Sequence, residues 1–238
     1  MNGAQPLPWN LTSKYSLMTA TTPHIRVLGA GLAGPEAALQ AARRGCAVDL
    51  YEMRPVRSTE AHQTADFAEL VCSNSLKSES EHTAPWLLKQ EMRRAGSVLL
   101  QAADASAVPA GHALAVDRVE FSRRVAEAIA AEPLITVHRE EVTTLDTETG
   151  WTVIASGPLT SSALSHSIAE LTGSEHLAFY DSISPIVEAE SIDMERVYFA
   201  ARWDKGTADY INCPMTREEY DRFYDALVSA EAVGEKEW

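Results

Sequence analysis

Apolar residues in this chain fall into short β-branched runs separated by stretches with helical spacing. Ile25-Arg26-Val27-Leu28 halts at Gly29 and reads as a buried strand. Pro35 to Arg44 is alanine-rich and reads as a helix. Pro35 suits its first turn, where a missing N–H costs nothing, and Gly45 suits its stop. Ala47-Val48-Asp49-Leu50-Tyr51 reads as a second strand, so strand, helix and strand follow one another within about 30 residues as a βαβ unit. Met53 to Ser80 is polar and without a clear period, which predicts a long irregular segment. Trp86 to Ala103 predicts one helix, with Leu88, Met92, Ala95 and Leu99 on a single face. Asp117-x-x-Glu120 has the form of a capping box and opens a helix with Phe121, Val125 and Ile129 inward. Leu134 to Val142 and Trp151 to Ala155 predict strands joined through the Thr149-Gly150 turn, a β-meander-like stretch. Leu159 to Leu171 predicts a helix and Val197 to Ala201 a strand. Thr216-x-x-Glu219 caps a last helix carrying Tyr220, Phe223, Leu227 and Val228.

Composition narrows the class. The 238 residues are 45% hydrophobic and 23% charged, which is globular and sufficient for one large domain or two small ones. No run approaches the ~18 apolar residues of a membrane helix. Three cysteines make no disulfide framework, so a reducing, cytoplasmic setting is expected. A formal charge of -14 disfavours polyanion binding by the whole surface and leaves only a local basic patch for a nucleic acid. Residues 1–23, with Trp9 and Tyr15, lack the apolar core of a secretory signal. They are expected to be a disordered tail or, if translation starts at Met18, in part a start-site artefact.

The strongest chemical signal is Gly29-Ala30-Gly31-Leu32-Ala33-Gly34. This G-x-G-x-x-G follows a strand, opens a helix and has Glu52 at the end of the next strand. Gly29 makes the tight turn, Gly31 keeps a side chain away from a pyrophosphate, and Gly34 lets the helix approach the sheet. The helix N-terminus offers free N–H groups to phosphate, and Glu52 is placed to accept a hydrogen bond from an adenosine ribose hydroxyl. The fingerprint does not separate FAD from NAD. Ala155-Ser156-Gly157-Pro158 favours FAD, because it resembles the second flavin-side motif of glutathione-reductase-type flavoproteins.

Cys72 lies among Ser73, Asn74 and Ser75, with Lys77 five residues on. An ammonium nearby would populate its thiolate, and an ordinary loop cysteine is the alternative. Cys46 is expected to pack in the core, and Cys213, before Pro214 and a helix, to be structural. His62, His82 and His112 are scattered without metal-ligand spacing, and neither a P-loop nor a Ser-His-Asp order is present. Among the basic residues, Arg54, Arg57 and Lys77 flank Cys72 and are candidates for phosphate contact. Lys89, Arg93 and Arg94 read as a solvated helix face. Arg202 and Lys205 flank Trp203, which reads as a packed indole or a base-stacking platform.

Val27 to Ala38, Tyr51-Glu52-Met53-Arg54-Pro55 and Leu70-Val71-Cys72-Ser73-Asn74-Ser75-Leu76 together resemble the folate- and FAD-dependent tRNA (uracil-5-)-methyltransferase family. So do Ala113 to Arg118, Gly157 to Ser161, Phe179-Tyr180-Asp181 and Asp209 to Met215, in family order. The Cys-Ser-Asn-Ser-Leu and Asn-Cys-Pro-Met blocks are the specific ones. The resemblance implies an α/β, Rossmann-like FAD-binding domain of the glutathione-reductase type over 24–160, with a partial second domain over 161–238. It implies methylation of the T-loop uridine of tRNA to 5-methyluridine, with methylenetetrahydrofolate as carbon donor, FAD as cofactor and NAD(P)H as reductant. In that family a thiolate adding to uracil C6 activates C5, and Cys72 stands in the motif of one catalytic cysteine. Gly29, Ala30, Gly31, Leu32, Ala33, Gly34 and Glu52 stand in the cofactor-binding positions.

The family's second functional cysteine, in a Phe-Glu-Gly-Cys segment, does not occur before Trp238. Cys213 matches a different position. The sequence is therefore expected to be a truncated product, a fragment or one part of a split protein. Rival readings are a plain FAD oxidoreductase, a wobble-position tRNA-modifying flavoprotein, and a noncatalytic nucleotide-binding remnant.

Overall fold

Parallel pairing between two short strands sets the architecture. In the computed structural model, which describes residues 22–59, 61–146, 150–173, 187–202 and 206–231, strand β1 (His24–Leu28) pairs with β2 (Ala47–Tyr51). Helix α1 (Ala33–Ala42) makes the crossover and is followed by Gly45, whose φ of +84° needs no Cβ. β6 (Ile135–His138) adds in parallel outside β2, and β7 (Trp151–Ile154) adds in parallel outside β1. The sheet order is β6-β2-β1-β7. The expected meander is therefore corrected: its two strands lie at opposite edges and never pair. Their hydrophobic runs mark them as strands, but partner choice is made by β1 and β2. Expectations on residues 1–21 (with Trp9, Tyr15 and Met18), on Phe179-Tyr180-Asp181 and on Trp203 and Lys205 lie outside the described residues.

The two faces of this sheet differ. Val27, Val48 and Leu50 are fully buried beneath Ala38, Leu39 and Ala42 of α1. On the other face one cross-strand row reads Thr136, Asp49, Arg26, Thr152. Arg26 donates to Thr152 Oγ1 at 3.0 Å, and the Asp49 carboxylate pairs with His24 at 2.9 Å and His138 at 2.8 Å. A parallel sheet usually carries apolar residues on both faces, so this polar face is a feature of its own.

A second layer of helices completes the core. The single helix expected over 86–103 is two, α2 (Ala84–Arg94) and α3 (Val98–Ala105). Gly96 at φ +78° ends the first, and Ser97 caps the second by accepting the Leu100 N–H at 3.2 Å. The face of α2 is also corrected: Leu88 is 56% exposed, while Lys89 is buried. Glu36 of α1 locks α3 in place, accepting from Ser97 Oγ at 2.9 Å, Val98 N at 3.3 Å and Leu99 N at 2.9 Å. In α4 (Arg118–Ala130), Asp117 accepts the Glu120 N–H at 2.9 Å, and Phe121, Val125 and Ile129 are buried as expected.

Met53 to Ser80 is not wholly irregular. It ends in β3 (Ser75–Ser78), which joins β4 (Ala107–Val108) and β5 (Ala113–Val116) in an antiparallel sheet of order β3-β5-β4. A short 3-10 turn over Gly157–Leu159 precedes α5 (Ser162–Thr172). β8 (Tyr198–Ala200) and β9 (Tyr210–Asn212) form a two-stranded antiparallel sheet. It is tethered where Asp209 accepts the Gly111 N–H at 2.8 Å and the Tyr210 hydroxyl donates to Ala110 O at 2.9 Å. The last helix, α6 (Arg217–Ser229), starts on a complete capping box between Thr216 and Glu219. Its Tyr220, Phe223, Leu227 and Val228 are each more than half exposed. None of the described helices is long and apolar enough to cross a membrane.

The approach of α1 to β1 rests on Gly34. A Cβ there would stand 1.8 Å from Gly29 O, a backbone atom that cannot step aside. Gly34→Ala is therefore expected to destabilise the fold by about 3 kcal/mol or more. Urea denaturation checks this, and an unchanged midpoint would mean that the helix can back away from the strand.

Candidate functional site

Between the end of β1 and the start of α1, the bend closes on itself. Gly29 donates its N–H to Tyr51 O at 2.8 Å and adopts φ +99°. A Cβ at Gly29 would stand 2.7 Å from Ser156 Cα and 2.9 Å from Ala155 O, so both its conformation and its neighbours demand glycine. Gly31 is different in kind. Its φ is ordinary and a Cβ would meet nothing within 4 Å. Packing therefore does not explain the third residue of the motif, whereas an approaching ligand does.

That open space is a cleft of about 340 Å³. Gly29, Ala30, Gly31, Leu32 and Ala33 line it, together with Glu52 and the turn from Ala155 to Ser161. Gly34 is buried and serves packing. Leu32 takes the N-cap of α1 without any side-chain cap, and Pro35 in the first turn has no N–H to satisfy. The helix end thus presents backbone donors and the positive end of its dipole to the cleft. The absence of a Cβ at Gly31 and the donor set both fit a diphosphate.

Glu52 turns toward the bend, as expected, and its carboxylate is already engaged. Oε2 accepts the Ala30 N–H at 3.0 Å, and Oε1 accepts Arg54 N at 3.0 Å and Arg54 Nε at 2.8 Å. Burial opposes ionisation of this group, but hydrogen bonds from the Arg54 side chain and backbone, the Arg54 charge and the Ala30 N–H outweigh it. The Glu52 carboxyl is held below its ordinary range. Arg54 is itself buried, bonded also to Glu69 at 2.8 Å and Thr64 O at 3.2 Å.

The basic residues expected to meet phosphate or solvent are in part engaged within the protein. Arg54 borders the cleft but its Nε and Nη1 are engaged by Glu52, Glu69 and Thr64 O within the protein; Arg57 is paired with Glu141 at 2.7 Å. Lys77 is exposed on β3 and does not line the cleft. Lys89 is not on a solvated face: it is buried, with its ammonium 2.9 Å from Leu76 O and 2.7 Å from Ser78 O. Arg93 is likewise held by Asp104 and Glu79, and Arg94 is exposed.

Cys72 is exposed in the segment before β3, and its neighbour Val71 lines the cleft. The segment is tied to the bend directly, since Ala68 N donates to Ala30 O at 2.9 Å. Cys46 is half-buried rather than fully packed, since it sits where the chain leaves α1 for the sheet, and Cys213 is exposed. Neither is among the described residues lining the cleft. Sequence reasoning missed the wall formed by Glu140, Glu141 and Val142 after β6. A strand end facing the bend is the only local signal that could have suggested it. No cluster of His, Cys, Asp and Glu suited to a metal occurs among the described residues.

Comparison with known proteins adds an independent finding. The family model described as glucose inhibited division protein A matches residues 24–237. A Koribacter versatilis protein, methylenetetrahydrofolate--tRNA-(uracil-5-)-methyltransferase TrmFO, is 69% identical over 90% of this chain and 48% of its own length. The protein of the same name from Halalkalibacterium halodurans is 58% identical over 92% of this chain and 50% of its own length. The chain spans about half the length of the curated relatives it matches. Among solved structures, the GidA-related protein from Thermus thermophilus is similar at 18% identity and a TM-score of 0.34, over 58% of this chain and 54% of that one.

A carboxyl held below its ordinary value of 4.5 contributes stability that is full above that value and is lost as pH falls through the lower, folded value. Folding stability is expected to drop on acidification below about pH 4.5. Glu52→Gln is expected to flatten that part of the profile and to cost about 3 kcal/mol at neutral pH, because Arg54 loses a buried partner. Denaturation midpoints as a function of pH check both.

Proposed function

Because the chain belongs to the family described as glucose inhibited division protein A, we propose that it forms the FAD-binding part of a methylenetetrahydrofolate-dependent tRNA (uracil-5-)-methyltransferase. The single observation that carries this reading is the vacant side-chain position at Gly31, above a glycine bend that faces the cleft together with Glu52. The likeness to the methyltransferases, at 58–69% identity, supports the choice of reaction.

In this reading the stretch 24–160 supplies most of the cofactor site and 161–238 begins a second domain. The N–H groups at the start of α1, with Gly29, Ala30, Gly31, Leu32, Ala33 and Gly34 shaping the bend, take the diphosphate. Glu52 receives the adenosine ribose with the acceptor capacity left over from Ala30 and Arg54. When bound, FAD supplies the redox and one-carbon chemistry, with NAD(P)H as reductant and methylenetetrahydrofolate as donor. Cys72 acts on the uridine or its adduct from the cleft margin; covalent addition of its sulfur to the pyrimidine splits one hard step into easier ones. With Arg54 and Arg57 tied to carboxylates, phosphate recognition in the cleft rests chiefly on backbone amides and the helix end.

The test uses protein from the full reading frame. Its absorbance reports bound flavin, and label from methylenetetrahydrofolate in tRNA reports the reaction. Gly31→Val is expected to lose flavin while keeping its unfolding midpoint. Cys72→Ala is expected to keep flavin and lose at least ~100-fold in labelling rate. A colourless protein that titrates no FAD overturns the cofactor reading, and full labelling by Cys72→Ala overturns the role of the cysteine.

A further inference from the structure

The segment Cys72-Ser73-Asn74-Ser75-Leu76 is built as a mount for its first residue. Ser73 Oγ accepts the Ser75 N–H at 3.1 Å, and Ser75 Oγ accepts the Lys77 N–H at 3.2 Å. Asn74 exchanges two bonds with Val116 of β5: Val116 N donates to Asn74 O at 3.0 Å, and Asn74 Nδ2 donates to Val116 O at 3.0 Å. Val116 is completely buried, so this anchor point is part of the core. Leu76 packs against that core, and Cys72 is left exposed.

Beyond the anchor the backbone does something unusual. In a regular strand consecutive carbonyls point to alternate sides. Here the carbonyls of Leu76, Lys77 and Ser78 all reach one nitrogen, Lys89 Nζ, at 2.9, 3.4 and 2.7 Å. Two features allow it: Lys77 is in the left-handed region at φ +69°, and the β3–β5 register shifts between Ser75 and Ser78. A non-glycine residue holds that conformation only when its surroundings enforce it. Lys89 supplies the enforcement, buried and also paired with Glu79 at 3.3 Å. An irregularity of this kind re-aims the chain on either side of it.

We propose that Asn74 and Lys89 are positioning residues for Cys72: Asn74 pins the segment to β5, and Lys89 holds the bulge beyond it. Together they present the thiol at the cleft margin in one arrangement. This rests on the reading of Cys72 as the reacting thiol, but its physical part is testable without any turnover.

The experiment compares Asn74→Ala, Lys89→Met and Lys89→Arg with the unaltered protein. Hydrogen exchange is followed by peptide, and iodoacetamide labelling of Cys72 is measured against Cys213 in the same molecule. Asn74→Ala and Lys89→Met are expected to speed exchange across residues 72–78 about tenfold, with exchange in β2 unchanged. The Cys72:Cys213 labelling ratio is expected to rise at least about threefold, and Lys89→Arg, which keeps the donors, to restore most of both effects. In the methylation assay, Asn74→Ala lowers kcat and leaves FAD affinity unchanged. If Lys89→Met does not fold, Asn74→Ala, which removes one half-buried amide and leaves the backbone bond to Val116, decides alone. An unchanged ratio, or exchange that rises equally over the whole chain, overturns the proposal. Full methylation by Cys72→Ala would instead overturn the role of Cys72 as the reacting thiol, leaving the labelling result to stand by itself.

Discussion

The backbone of one residue, Ala30, joins three parts of the molecule around the cleft. Its N–H is taken by the Glu52 carboxylate at the end of β2, and its carbonyl is taken by the Ala68 N–H of the segment leading to Cys72. That backbone cannot move without disturbing both. Its own position is fixed by the contact of Gly34 with Gly29 on one side and of Gly29 with Ser156 on the other. Such closely packed backbone has two states, in place or broken, rather than a range of compromises.

The segment after β2 shows how a stretch poor in secondary structure becomes ordered. Arg54 lies at its centre between Glu52 and Glu69. Glu69 in turn accepts from Gln63 N, Thr64 N and the Thr64 hydroxyl. Arg139 closes the far side, donating to Arg54 O and Ala65 O while its guanidinium lies 4.0 Å from the centre of the Phe67 ring. Burying one guanidinium between two carboxylates adds little net stability, because desolvation consumes much of the attraction. What it adds is geometry: each partner is acceptable only in its place.

The parts of the fold that were legible in the sequence are those fixed by neighbours close along the chain. Gly29 and Gly34 announce the bend because each answers a steric constraint there, Gly31 leaves its open side without a side chain, and β2 is legible to the residue because its short apolar run stops at Glu52. The caps at Asp117 and Thr216 were legible for the same reason. What was not legible depends on partners far away. β3 is four polar-leaning residues whose strand character comes from pairing with β5. The break at Gly96 is masked by apolar spacing that runs straight through it. The basic residues are the least legible, since a charge in sequence does not say whether it is solvated: Arg54 and Lys89 look like surface groups until Glu69, Ser78 and Glu79 are seen around them.

Glu36 occupies the first turn of α1, where a carboxylate would ordinarily compete with any anion for the helix end. It leans instead onto the amides that open α3, and so its charge is spent on another dipole. The helix end at the cleft is left as a short-range attraction inside a molecule of net charge -14. An incoming diphosphate is therefore repelled at a distance and welcomed only on arrival. Because mobile ions shorten the reach of the repulsion more than they weaken contacts within the cleft, moderate salt should hasten encounter rather than slow it.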